Sequence, residues 1–264
     1  MKRPQDMVKS HPQIASVRRQ ESDGERLPEE CGVFGIFHYA DAAAHTALGL
    51  HALQHRGQEA AGIVSFDGEH FHSHRASGLV GDNFGSQEII GRLPGDMTIG
   101  HVRYSTTGET VQRNIQPLFA DLRFGGLAIA HNGNITNAYK TRMSLVERGC
   151  IFQSTSDTET IIHLIATSRA ATLIERLIDA LRQIEGAYSL VALTQEKLIG
   201  VRDPLGVRPL VLGRLDDAYI LASETCALDI IGARFVRGVE PGEIVVIDEG
   251  GLQSIKPFPE SRQR

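Results

Sequence analysis

The hydrophobic pattern changes abruptly at Cys31. Upstream, residues 1–30 scatter single apolar side chains among charges such as Lys9, Arg18, Arg19, Glu21, Asp23 and Glu30, so neither a helical nor a strand face can form. At residue 31 the chain switches to CGVFGIF, an uninterrupted apolar run that predicts a buried strand. Residues 41–54 (DAAAHTALGLHALQ) predict a helix, with Asp41 as N-cap and positions 47, 50 and 53 on its apolar face. Strand patterns follow at 60–66, 97–104 and 125–131, helical ones at 134–148, 157–168 and 171–184. Strand patterns return at 187–194, 197–202, 208–213, 218–222 and 243–248. Strands, then helices, then strands again predict an α+β layered domain rather than a doubly wound parallel sheet. The expected organisation is a flexible leader over 1–30, one domain over 31–256 and a short tail over 257–264.

Composition narrows the class. The 264 residues are 41% hydrophobic and 22% charged, enough apolar material for one large core. No apolar run approaches the roughly 18 residues of a membrane helix. A net charge of −5 gives no reason to expect nucleic acid as a partner. Three scattered cysteines, Cys31, Cys150 and Cys226, form no CxxC pair and, being odd in number, argue against a disulfide framework. A reducing cytoplasm is the expected compartment. The leader has no continuous apolar stretch, as a secretory signal would, and residues 21–30 are too acidic for a mitochondrial presequence.

Several short segments can carry chemistry. Cys31 opens a buried strand, where a free thiol is ordinarily a small core residue. As a nucleophile it needs a base or a lowered pKa, and removal of residues 1–30 would supply a base, the α-amino group of Cys31 itself, which titrates near 8. Arg56 in QHRGQE and Arg103 in HVRYST can fork onto a carboxylate, or can be ordinary surface arginines. His131-Asn132-Gly133-Asn134 reads either as a tight turn or as an Asn side chain and Gly N–H suited to an oxyanion. Ser156-Asp157-Thr158-Glu159 reads as a helix cap, with Asp157 also able to face an ammonium group. His70, His72 and His74 alternate as on a solvated strand face, without ligand-spaced carboxylates or cysteines to make a zinc site.

Taken together and in this order, CGVFGIF, LQHRGQEAAGI, GHVRYSTTG, AIAHNGNITN, STSDTE and VRDPLGVRPL resemble the class II, N-terminal nucleophile, glutamine amidotransferases. The resemblance implies a four-layer αββα sandwich. It implies Cys31 as nucleophile on the side-chain amide of L-glutamine, with its own α-amine as base, and Asn132 and Gly133 N–H as oxyanion hole. Arg103 would bind the α-carboxylate, Asp157 the α-ammonium, and Arg56 would position Cys31. The segment from Arg103 to about Gly108 would close over glutamine, and Glu30–Cys31 would be the bond cut to free the nucleophile.

The details QHRGQE, RYSTTG, NIQPL, DPLGVRPL and ASETCALD are similar to members carrying a second, phosphoribosyltransferase-type domain. In those, Mg²⁺ and phosphoribosylpyrophosphate bind the second domain, and ammonia from glutamine makes 5-phosphoribosylamine at the entry to purine biosynthesis. No acid pair and small-residue loop of that domain occurs here, so the chain is expected to be the glutaminase half, homo-oligomeric in full-length form. Some members hold a [4Fe–4S] cluster, and Cys226 matches one ligand, which would require thiolates from outside this chain. The alternatives are the glutaminase domain of another class II amidotransferase, an unprocessed binding or regulatory module of the same fold, and a Cys–His hydrolase using His101 or His131.

Overall fold

The apolar run after Cys31 becomes β1 (Gly32–Phe37), buried at every position, as expected of a strand covered on both faces. The structure, a computed structural model, describes residues 31–104 and 112–258. The expected leader, most of the closing segment and most of the tail lie outside the described residues.

β1 occupies the middle of a seven-stranded sheet, between β10 (Ala218–Ala222) and β4 (Met97–Arg103). β9 (Val211–Leu215) and β11 (Arg234–Gly238) extend it on one side, β2 (Ala60–Phe66) and β3 (Phe71–Ser77) on the other. The second sheet runs β13 (Gly251–Ile255), β12 (Ile244–Asp248), β8 (Leu198–Arg202), β7 (Gly186–Leu193), β6 (Gly125–Ile135), β5 (Leu118–Leu122). Every neighbouring pair in both sheets is antiparallel.

Alternation along the strands sorts the apolar residues into three layers. Phe34, Ile36, Ala61, Ile63 and Val102 pack under α1 (Ala42–Ala52), α2 (Val80–Phe84), α3 (Gln87–Ile90) and α7 (Cys226–Asp229). Ile129, Tyr188, Leu190 and Ile199 pack under α4 (Ala138–Glu147), α5 (Thr158–Thr167) and α6 (Leu173–Leu181). The intervening positions, Val33, Val64, Ile99, Ala128, Ala130 and Val191, meet between the sheets. A Cβ at Gly35 would lie 2.8 Å from Val191 Cγ1, so the missing side chain lets the sheets touch there. The architecture is helix, sheet, sheet, helix: the α+β fold and four αββα layers of the sequence expectation.

Local differences have local causes. Asp41 precedes α1 but in the left-handed region (φ 57°), with no side-chain cap bond. The buried face of α1 is Ala42, Ala43, Thr46, Gly49 and Leu50, with Ala47 half-buried at its margin. Asn132-Gly133 makes no turn: β6 runs through it to Ile135, paired with β7 from Ala128↔Leu193 to Ile135↔Gly186. Residues 208–210 precede β9 in a loop whose N–H groups at Leu205, Val207 and Arg208 donate to the buried Asp203 carboxylate.

Candidate active site

The strand positions that face the second sheet stay apolar along most of β1, β4, β6 and β7 and turn polar at one end. On β4, Met97 and Ile99 face inward, so alternation puts His101 and Arg103 on that side. On β6, Ala128 and Ala130 do so, placing Asn132 next in line, and Asn132 pairs across the ladder with Ser189. Cys31 precedes Val33 by two residues and shares its direction, and Val33 pairs with His101.

This end holds a concentration of unsatisfied polar atoms. Asn132 is 0% exposed, yet neither its Oδ1 nor its Nδ2 has a partner among the described residues. His101 Nδ1, His131 Nε2 and Ser189 Oγ are likewise buried without partners. Leaving such groups unpaired costs about 1–3 kcal/mol each. A buried amide with four unused bonding positions is, among the described residues, the strongest mark of a ligand subsite.

The edge of β6 beyond β5 adds a second donor. N–H groups of alternate residues point to the same edge. His131 N–H donates to Gln116 Oε1 at 2.7 Å, and Ile135 N–H to Asp157 Oδ2 at 3.1 Å. Gly133 N–H lies between them, and among the described residues no side chain takes it. On the opposite strand, Tyr188 directs its N–H and carbonyl to Asp203, away from Gly133. Gly133 has φ 148°, and a Cβ there would lie 2.1 Å from the Ala187 carbonyl oxygen. Only glycine fits this backbone.

Charge completes the arrangement. Burial pushes the Cys31 thiol above its ordinary value; the Arg103 guanidinium opposes that and Asp157 adds to it. Both charges thus act at the sulfur, whose Sγ lies 3.7 Å from the Tyr104 carbonyl oxygen. Arg103 is held by Nη1 donating to the Asn114 carbonyl at 2.9 Å, and Asn114 is pinned to Thr155. Burial raises the Asp157 carboxyl, but nearby His131 and the Ile135 and Thr158 N–H groups outweigh it, holding it below its usual value and ionised. Asp157 precedes α5 without capping it by side chain. Ser156 Oγ instead accepts the Thr158 N–H, and Glu159 folds back onto Ser154. Arg56 reaches Cys31 from the turn Gln54–Arg56, Nε donating to the Cys31 carbonyl at 3.2 Å.

Neither histidine fits a Cys–His pair. His101 Nε2 bonds the His131 carbonyl at 3.1 Å, and burial holds its pKa at about 3. His131 Nδ1 faces Thr158 Oγ1 and Asp157. Gln116, Asn114 and Glu224 were not singled out from the sequence. The motifs NIQPL and ASETCALD contain Gln116 and Glu224, and a polar residue beside an apolar strand run was the available signal.

The cysteines do not fit a four-thiolate cluster within this chain. Cys226 packs in one helix layer, Cys150 in the other, and Cys31 lies between the sheets. The donors beside Cys226 are His55 and Glu224, the three ligand atoms lying within 4.8 Å of one another. His72 pairs with Asp67, a carboxylate five residues away, and His74 stacks edge-on to Phe84.

This constellation defines the class: the chain belongs to the glutamine amidotransferases. The family model described as a glutamine amidotransferase domain matches residues 101–229. More particularly, the chain is similar to amidophosphoribosyltransferases. It is 60% identical over 246 residues to that of Rhizobium etli, covering 90% of this chain and 50% of the relative. It is 49% identical to the chloroplastic enzyme of Glycine max, covering 92% and 43%. The solved glutamine phosphoribosylpyrophosphate amidotransferase from B. subtilis, complexed with ADP and GMP, superposes with a TM-score of 0.82 at 44% identity, over 86% of this chain and 49% of that one. The chain thus spans about half the length of the relatives it matches. Among the described residues no helix is long and apolar enough to cross a membrane.

Proposed function

We propose that this chain is the glutaminase half of an amidophosphoribosyltransferase, hydrolysing L-glutamine to glutamate and ammonia. The observation that carries the reading is the fully buried, partnerless Asn132 amide at the same end of the inter-sheet space as Cys31. Loss of residues 1–30 would turn the Cys31 main-chain N–H into an amine. That amine takes the thiol proton as sulfur attacks the glutamine amide carbon, the more necessary because burial raises the thiol pKa. The C–S bond forms and the carbonyl becomes an oxyanion, received by Asn132 Nδ2 and Gly133 N–H. The amine returns its proton to the departing nitrogen, the C–N bond breaks, and ammonia leaves. Water then attacks the thioester, with the amine again as base, releasing glutamate and the thiol. Arg103 and the ionised Asp157 grip the α-carboxylate and α-ammonium, fixing the amide against sulfur.

The ammonia would pass to a phosphoribosyltransferase half, where phosphoribosylpyrophosphate becomes 5-phosphoribosylamine. A homo-oligomer and a reducing, cytoplasmic setting are part of this proposal; three free thiols support the latter. Its test is the intact mass before and after incubation with 6-diazo-5-oxo-norleucine. Loss of residues 1–30 and one adduct on Cys31, absent from Cys31→Ala together with all glutaminase activity, is the expected result. An adduct on Cys31 with the leader still attached would overturn the α-amine mechanism.

A further inference from the structure

On the reading above, Cys31 becomes the first residue of the working chain, and chain ends fray unless tied down. The structure contains a tie that runs through a residue outside the glutamine site. Glu224 is a hub. Its Oε1 accepts from Arg56 Nη1, and its Oε2 faces His55 Nε2 at 3.2 Å and Cys226 Sγ at 3.8 Å. The same Arg56 guanidinium uses Nε to hold the Cys31 carbonyl. The Arg56 side chain is only 12% exposed and that of Glu224 33%, so the contact between them is partly shielded from water.

The neighbouring residue explains how Glu224 arrives there. Ser223 continues β10 opposite Val33, its N–H donating to the Val33 carbonyl at 3.0 Å. The Val33 N–H goes not to the Ser223 carbonyl but to its Oγ, at 2.9 Å. The hydroxyl replaces the main-chain acceptor, so the backbone can leave the sheet at 223–224 and carry Glu224 under Arg56. Residue 33 is then held by Ser223 directly, and residue 31 by Arg56, which Glu224 holds in turn.

We propose that Glu224 is a positioning residue for the nucleophile. It fixes the planar Arg56 fork so that Nε restrains the Cys31 carbonyl, and with Ser223 it keeps residue 31 in strand geometry after its preceding peptide bond is gone. An arginine that loses a carboxylate partner gains rotamer freedom, and the aim of its donors loosens, and a misplacement of about 1 Å at a reacting group can cost on the order of 100-fold.

The test uses the full chain and the variants Glu224→Ala, Glu224→Gln, Arg56→Ala and the double variant Glu224→Ala/Arg56→Ala. Glu224→Ala is expected to lower kcat for glutamine hydrolysis about ten- to 100-fold with KM within about twofold, because Arg103 and Asp157 are untouched. Glu224→Gln keeps shape and acceptor oxygen and recovers part of the rate. The double variant is expected to be no slower than Arg56→Ala alone, as for two groups acting through one contact. Amide exchange of residues 32–34, read by mass spectrometry, is expected to accelerate in Glu224→Ala. A kcat within twofold of the parent, or losses that multiply in the double variant, would overturn the proposal while leaving the glutaminase reading intact. If the parent itself takes no label on Cys31, the glutaminase reading fails, and the exchange result alone decides the clamp: unchanged protection sinks it.

Discussion

The two ends of the space between the sheets are built from the same strands and do opposite things. Toward Phe37, Phe66, Met97 and Leu193 the facing side chains are apolar and almost fully buried. Toward Cys31, His101, Asn132 and Ser189 the alternation continues, but the residues are polar, and His101 Nδ1, both polar atoms of the Asn132 amide and Ser189 Oγ lack partners among the described residues. The β1–β4 and β6–β7 pairings keep their register through both ends, so the difference lies chiefly in the side chains. One end stabilises the molecule by removing apolar area from water. The other holds donors and acceptors out of water in advance of a ligand, at a cost in stability.

The sharpest way to break this comparison is Asn132→Leu. Loss of one oxyanion donor is expected to lower kcat about 100- to 1000-fold. The melting temperature is expected to hold or rise, because a buried unsatisfied amide is replaced by an apolar side chain. Parallel melting curves and glutaminase assays check both halves, and a large loss of stability would refute the picture of a polar end under strain.

Acid is expected to act on the polar end next. His101, held at about 3 against an ordinary 6.5, stays neutral in the fold while the unfolded chain takes up a proton. The unfolded state binds more protons between those values, so stability falls as pH drops from 6.5 toward 3, by about 1.4 kcal/mol per unit. His101→Gln should flatten that limb in denaturant titrations at pH 4 to 6.5. An identical slope would show that His101 does not carry it.

The smallest effect belongs to the apolar end. Ile99→Val, within the inter-sheet cluster, is expected to cost about 0.5–1.5 kcal/mol. Its cost should be the same at every pH and should leave KM unchanged. A shift in KM would mean that the two ends communicate through the sheet contact.

The sequence was most legible where one period persisted. β1, β2, β4, β7, β8, β10 and β12 are runs of buried apolar residues, and the three helices of the second sheet fall within their expected limits. β5, β11 and β13 escaped because they lie at sheet edges with half-exposed faces, where no apolar run is needed. Asn132-Gly133 carries a strong local turn signal, yet pairing with β7 overrides it and uses the glycine for a strained strand position instead. The residues expected in the site gather at one end of the sheets. Gln116 and Glu224 act by holding other residues, and nothing in local spacing announces a contact across 168 positions.

The clamp on the start of β1 also imposes an order in time. The bonds that fix Val33 come from Ser223, 190 residues later. At a synthesis rate of about 5–20 residues per second, that interval lasts roughly 10–40 s. Through it the emerging chain carries a thiol without the carbonyl restraint that would aim it. On the proposed reading, with cutting at Glu30–Cys31 dependent on the assembled strand, truncated products would not display a working nucleophile. The central strand of the sheet is among the first stretches of the domain to be made, and its hydrogen bonding is complete only once residue 223 has been added.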